Sequence, residues 1–134
     1  MRAALPIALL VASLVPGIAR ATDANLDAAH KTYMRYCGAC HGAAGEGDGM
    51  VAPFLTPKPP DLTKLAAKTG GTFSPQKVMS YIDGTNDVRA HGAPTMPVWG
   101  EIFRAEAAWD QGRRAEVQGK LLMLTEYLRS IQER

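Results

Sequence analysis

Two cysteines and a histidine stand within five consecutive residues, Cys37-Gly38-Ala39-Cys40-His41. Thiols at this separation can add to the two vinyl groups of one porphyrin. The imidazole that follows at once is then held beneath the ring, within reach of the iron, and C-x-x-C-H is the attachment pattern of c-type haem. A shift of one residue would misplace a thioether or the ligand. C-x-x-C has rivals: a redox thiol pair, half of a zinc site, or a local disulfide. Zinc needs two further ligands, yet these are the only two cysteines, and the remaining histidines, His30 and His91, are scattered. A thioredoxin-like pair needs a βαβ setting, and the chain has no β-rich alternation. One haem c, covalently held by Cys37 and Cys40 with His41 on the iron, is the expected cofactor.

A second iron ligand is expected from the segment V-R-A-H-G-A-P-T-M-P-V-W, residues 88–99. Pro97 pushes the preceding Met96 out of the α region into an extended backbone, and Pro94 stiffens the approach from the other side. That is a rigid way to present a thioether sulfur, and Met/His ligation suits c-type haem. Of the other methionines, Met1 lies in the expected N-terminal leader, Met34, Met79 and Met123 read as helical, and Met50 is too near His41 in sequence to reach the opposite face easily. Methionine is more often core filler, and His91, flanked by Ala90 and Gly92 without a proline clamp, is the rival ligand. A ligating histidine usually donates its other ring N–H to a fixed acceptor. The Pro53 carbonyl is the candidate for His41, with loop stiffening the alternative for this proline. Trp99 is expected to wall the haem, its N–H available to a propionate.

These residues need elements to carry them. Leu26, Ala29, Tyr33 and Tyr36 recur at helical intervals and predict a helix over Asp23–Tyr36 that delivers the chain into Cys37. Residues 42–60 are rich in glycine and proline and read as a loop. They lack the G-x-x-x-x-G-K-[ST] of a phosphate cradle. A short helical turn is expected at 61–67. Ser74-Pro75 opens the next helix, and Gly84 stops it. Residues 98–105 predict a short helix with Trp99, Ile102 and Phe103. Val117, Leu121, Leu124, Leu128 and Ile131, widened by Leu122 and Tyr127, predict a final helix packed on the first. Gly119 within it suits a close helix crossing or a tolerated exposed position. The fold class is all-α.

The N-terminus reads as an export signal. Arg2 precedes an apolar run over 3–15, Pro16-Gly17 breaks it, and Ala19-Arg20-Ala21 fits a small-x-small cleavage site. The run is short for a membrane span, which takes about 20 residues. Residues 1–21 are thus expected to be a signal peptide, and the 113 residues of the 134-residue chain that follow form one domain, 22–134, in the periplasm. Arg2 and Arg20 leave with the leader, so 15 basic residues become 13 against 13 acidic ones. A near-neutral domain gives no reason to expect nucleic acid or an anionic membrane surface as partner.

Read together, Y-M-R-Y-C-G-A-C-H-G (33–42), A-P-F-L (52–55), P-P-D-L-T (59–63), T-M-P-V-W-G (95–100) and L-T-E-Y-L-R-S-I (124–131) resemble the class I, mono-haem cytochromes c. The resemblance implies several helices wrapped around one covalent haem, with the first and last crossing closely. It implies Cys37 and Cys40 as thioether sites, His41 and Met96 as the axial pair, and Pro53 as the histidine-orienting carbonyl. Ala29 stands where many members have a glycine at the crossing, and 101–116 is longer than in the smallest members. The implied function is one-electron transfer with redox-protein partners, not catalysis. Two alternatives stay open. The domain could be the electron-accepting subunit of a larger dehydrogenase or oxidase, which an exposed apolar patch around Trp109 and Phe103 would favour. It could also be a haem enzyme or ligand binder, if Met96 leaves the sixth position open.

Overall fold

A computed structural model describes residues 18–85, 96–107, 109 and 112–133. Residues 1–17 of the expected leader, His91 and Pro94 lie outside the described residues. Among those described, the chain has five helices and no strand: α1 (Ile18–Tyr36), α2 (Gly38–His41), α3 (Pro75–Asp83), α4 (Trp99–Glu106) and α5 (Arg113–Ser130). Two 3₁₀ turns, Ala52–Phe54 and Ala67–Thr69, punctuate the long connection from α2 to α3. The all-α expectation holds.

The core sits where α1 crosses α5. Ala29 and Tyr33 of α1 and Leu121, Leu124 and Leu128 of α5 are buried in one cluster with Ile82 and Phe103. The Tyr33 and Tyr127 rings lie 4.8 Å apart. Full burial of each α5 leucine contributes roughly 1.5–3 kcal/mol, so this stripe seats α5 on α1. A small side chain is needed at the crossing, and Ala29, only 2 % exposed, meets that need. Gly119 does not belong to it: a β-carbon built there meets open space, which selects the exposed reading.

The expected stripes are wider than the real ones. Leu26 on α1 and Leu122 on α5 are exposed although both fit the periodicity. Thr125, by contrast, is wholly buried, its hydroxyl donating to the Leu121 carbonyl at 2.8 Å. That local bond lets a polar side chain replace an apolar one in the core. The helix α1 starts at Ile18, ahead of the expected Asp23.

The remaining helices complete the frame. Pro75 opens α3 and Gly84, at φ +76°, closes it, as the sequence predicts. At Gly100 the α4 backbone presses on the end of α3. A β-carbon there would lie 2.6 Å from the Asp83 carbonyl oxygen and run into its carboxylate. Arg104 also pairs with Asp83 at 2.9 Å. Phe103 is fully buried while Trp109 is 87 % exposed, with the Arg113 guanidinium 3.8 Å from its ring centroid. Among the described residues the two aromatics therefore do not form a joint exposed patch.

Candidate haem centre

The helix α1 ends at Tyr36, and the chain turns at Cys37 into the single helical turn α2. Cys37 N–H still donates to the Tyr33 carbonyl at 2.7 Å, and the Cys37 carbonyl accepts from Cys40 N–H at 3.1 Å and His41 N–H at 2.9 Å. Both thiols and the imidazole thus belong to one hydrogen-bonded turn. The cysteines are free and half-buried. Burial, and next the nearby Cys40, push the Cys37 thiol up to about 12. Reactive exchange thiols and zinc ligands need the opposite, a stabilised thiolate. Among the described residues no cluster of three or more His, Cys, Asp or Glu could hold a metal ion by itself.

His41 is 7 % exposed. Its Nδ1 lies 3.1 Å from the carbonyl oxygen of Pro60. A carbonyl only accepts, so Nδ1 carries the proton and Nε2 keeps the lone pair for a metal. Burial lowers the imidazole pKa against the opposing pull of this bond, which favours the neutral, ligating form.

The orienting carbonyl is therefore Pro60, not Pro53. The reason lies in how the glycine loop folds. Gly47 N–H donates to the His41 carbonyl at 2.8 Å and Leu62 N–H to the Gly45 carbonyl at 2.7 Å, which brings 59–62 back over α2. Gly47 sits at φ +82°, and a β-carbon there would meet the Pro59 carbonyl at 2.5 Å. Only glycine permits both the turn and the approach. Pro53 instead lies exposed in the middle of the 3₁₀ turn Ala52–Phe54, so the stiffening reading describes it. Asp61 secures the far side, accepting from Thr63 N–H at 2.9 Å and Lys64 Nζ at 2.6 Å.

The residue after the imidazole is held too. Tyr33, wholly buried, donates its hydroxyl to the Gly42 carbonyl at 2.7 Å. The helical stripe marks Tyr33 only as a recurring position of the first helix and does not reveal this bond. A buried phenol that needs a partner, nine residues before the loop, was the available signal. Gly49 lies so close to the Ala39–Cys40 peptide that no β-carbon fits between them, and its N–H donates to the Cys40 carbonyl at 3.2 Å.

Trp99, the first residue of α4, stacks with Phe103 (6.2 Å between centroids) and stands edge-on to Tyr36 (5.5 Å), the neighbour of Cys37. Met96 lies half-buried three residues before Trp99. Met50 and Phe54 on the glycine loop are 81 % and 85 % exposed in the protein alone. A fixed neutral imidazole, two unpaired thiols on the same turn and apolar side chains left uncovered nearby are the chemistry that haem c requires of its protein. The residues present fit the group.

No curated protein and no solved structure matches the chain. The family model for cytochrome c matches residues 26–110, well over half of the chain and including C-x-x-C-H and Met96. With the all-α frame and the imidazole fixed on the turn that bears both thiols, that match leads to one conclusion: this chain belongs to the cytochrome c family.

Proposed function

We propose that the chain is an exported mono-haem cytochrome that carries single electrons between redox proteins, with iron held by His41 and Met96. Haem c, when bound, supplies an iron that alternates between ferric and ferrous states. The protein's share is placement. Cys37 and Cys40 bond the macrocycle, the Pro60 carbonyl keeps Nε2 of His41 directed at the metal, and Pro97 limits the movement of the Met96 thioether. A methionine ligand favours the ferrous state and raises the potential. With His41 and Met96 both holding the iron, none of its coordination sites would be left for a substrate, so the reading is a carrier and not an enzyme.

The observation that carries this reading is the His41 Nδ1–Pro60 bond within the turn that holds both thiols. Such a bond puts the proton on Nδ1, leaves the Nε2 lone pair free and fixes the direction in which it would face a metal.

The N-terminal address supports export by a signal peptide, residues 1–21, to the periplasm. Cleavage after Ala21 would trim the start of α1, which begins at Ile18. None of the described helices is long and apolar enough to cross a membrane. A brief encounter with donor or acceptor, burying less than about 1,200 Å², suits such a carrier.

The test is the visible spectrum of the oxidised, haem-loaded protein. A far-red sulfur-to-iron band is expected. In Met96→Ala that band disappears, the potential falls and the iron accepts exogenous ligands, while the haem stays attached. High-spin iron without the band in the unmodified protein would replace the carrier reading with the ligand-binding one.

A further inference from the structure

The Met96 side of the molecule is carried by α4, and α4 is held in place by contacts that electron transfer itself does not need. Met96 joins this helix through Pro97 and Val98. The proline ring restricts one of them. The other has its carbonyl committed to Glu101 N–H at 3.1 Å and Ile102 N–H at 3.4 Å. Where α4 goes, Met96 follows.

At its C-terminal end α4 is tied to the end of α1. The Tyr36 hydroxyl donates to Glu106 Oε2 at 2.7 Å. Lys120 of α5 approaches the same oxygen at 3.4 Å and Glu116 at 3.3 Å, so the carboxylate is held from two helices. The Tyr36 ring stands edge-on to both Phe103 (5.0 Å) and Trp99 (5.5 Å) of α4. The next residue in the chain is Cys37. One side chain therefore links the turn that bears the thiols and His41 to both ends of the helix that follows Met96.

From this geometry we infer that Tyr36 and Glu106 are positioning residues for the distal ligand: their hydrogen bond holds α4, and with it Met96, at its working distance from the C-x-x-C-H turn. The inference rests on Met96 being the sixth ligand. Gly100 and Arg104 brace α4 on Asp83 of α3, and the edge-on ring contacts with Tyr36 tolerate sliding, so the short bond to the Glu106 carboxylate is what ties the C-terminal end of α4 to α1. When the bond is lost, α4 gains freedom at its C-terminal end, and the thioether is displaced more easily.

The experiment titrates imidazole into the oxidised, haem-loaded protein while the far-red sulfur-to-iron band is followed. Tyr36→Phe keeps the ring and removes only the hydroxyl, and Glu106→Ala removes the acceptor. Each should raise the apparent affinity for imidazole by roughly threefold to tenfold, the factor that one partly exposed hydrogen bond supplies. The double variant should show no more than the larger single effect, because the two residues act through one bond. Glu106→Gln retains an acceptor oxygen and should stay near the unmodified protein. Urea unfolding is measured in parallel. Lower midpoints with unchanged imidazole affinity would make the bond merely structural and overturn the inference, although the ligand assignment would stand. Absence of the band from the unmodified protein would remove the ligand assignment first, and this inference with it.

Discussion

Three hydrogen bonds hold the two residues that bring the imidazole into place. Gly47 N–H holds the His41 carbonyl, Tyr33 O–H the Gly42 carbonyl, and the Pro60 carbonyl the ring itself. Removing the Tyr33 hydroxyl leaves the Gly42 carbonyl with only the longer bond from Gly45 N–H at 3.3 Å, so Tyr33→Phe should cost about 0.5–1.5 kcal/mol in urea unfolding. Asp61 follows Pro60, and its carboxyl is held down to about 2, first by the Lys64 hydrogen bond and then by Thr63. A depressed folded value means that the stabilisation is fully present above the ordinary carboxylate range and is lost as pH falls through the folded value. The difference in unfolding midpoint between the unmodified protein and Asp61→Asn should therefore be constant near neutrality and shrink between about pH 4 and pH 2. A difference that grows on acidification would contradict the assigned role of Asp61. At this scale the motif residues were legible because type and spacing alone specify the chemistry of C-x-x-C-H. The Pro60 acceptor was not, because it is a main-chain carbonyl placed by the path of a loop, and no side chain announces it.

The helices were legible wherever a stripe, a proline or a terminal glycine marked them. Ser74-Pro75 and Gly84 bound α3 in the sequence as in the fold. What the periodicity could not give was which positions on a stripe find a neighbour. Leu26 and Leu122 fit the pattern yet stay exposed, and Thr125 breaks it yet is buried. The glycines within α4 and α5 show the same division. Gly119 faces open space, so Gly119→Ala should raise stability by about 0.8–1 kcal/mol through helix propensity alone. Gly100 abuts Asp83, so Gly100→Ala forces α4 away from α3 and should cost about 1–3 kcal/mol. Thermal or urea unfolding of the pair reads both signs at once. Equal effects would mean that α4 does not press on α3 as described.

Among the described residues, the protein seals the α1–α5 crossing and leaves apolar side chains beside the attachment turn uncovered. Tyr33, Phe103, Leu121 and Leu124 are sealed, while Met50 and Phe54 near the attachment turn remain open. That division suits a chain of modest size in which a covalently held porphyrin provides part of the core. The most direct measurement is the intact mass, under denaturing conditions, of the chain produced with haem-maturation machinery. One haem per chain should remain attached, and it should be lost from a variant in which both Cys37 and Cys40 are replaced by alanine. A bare polypeptide mass for the unmodified chain made under those conditions would contradict the account at its foundation.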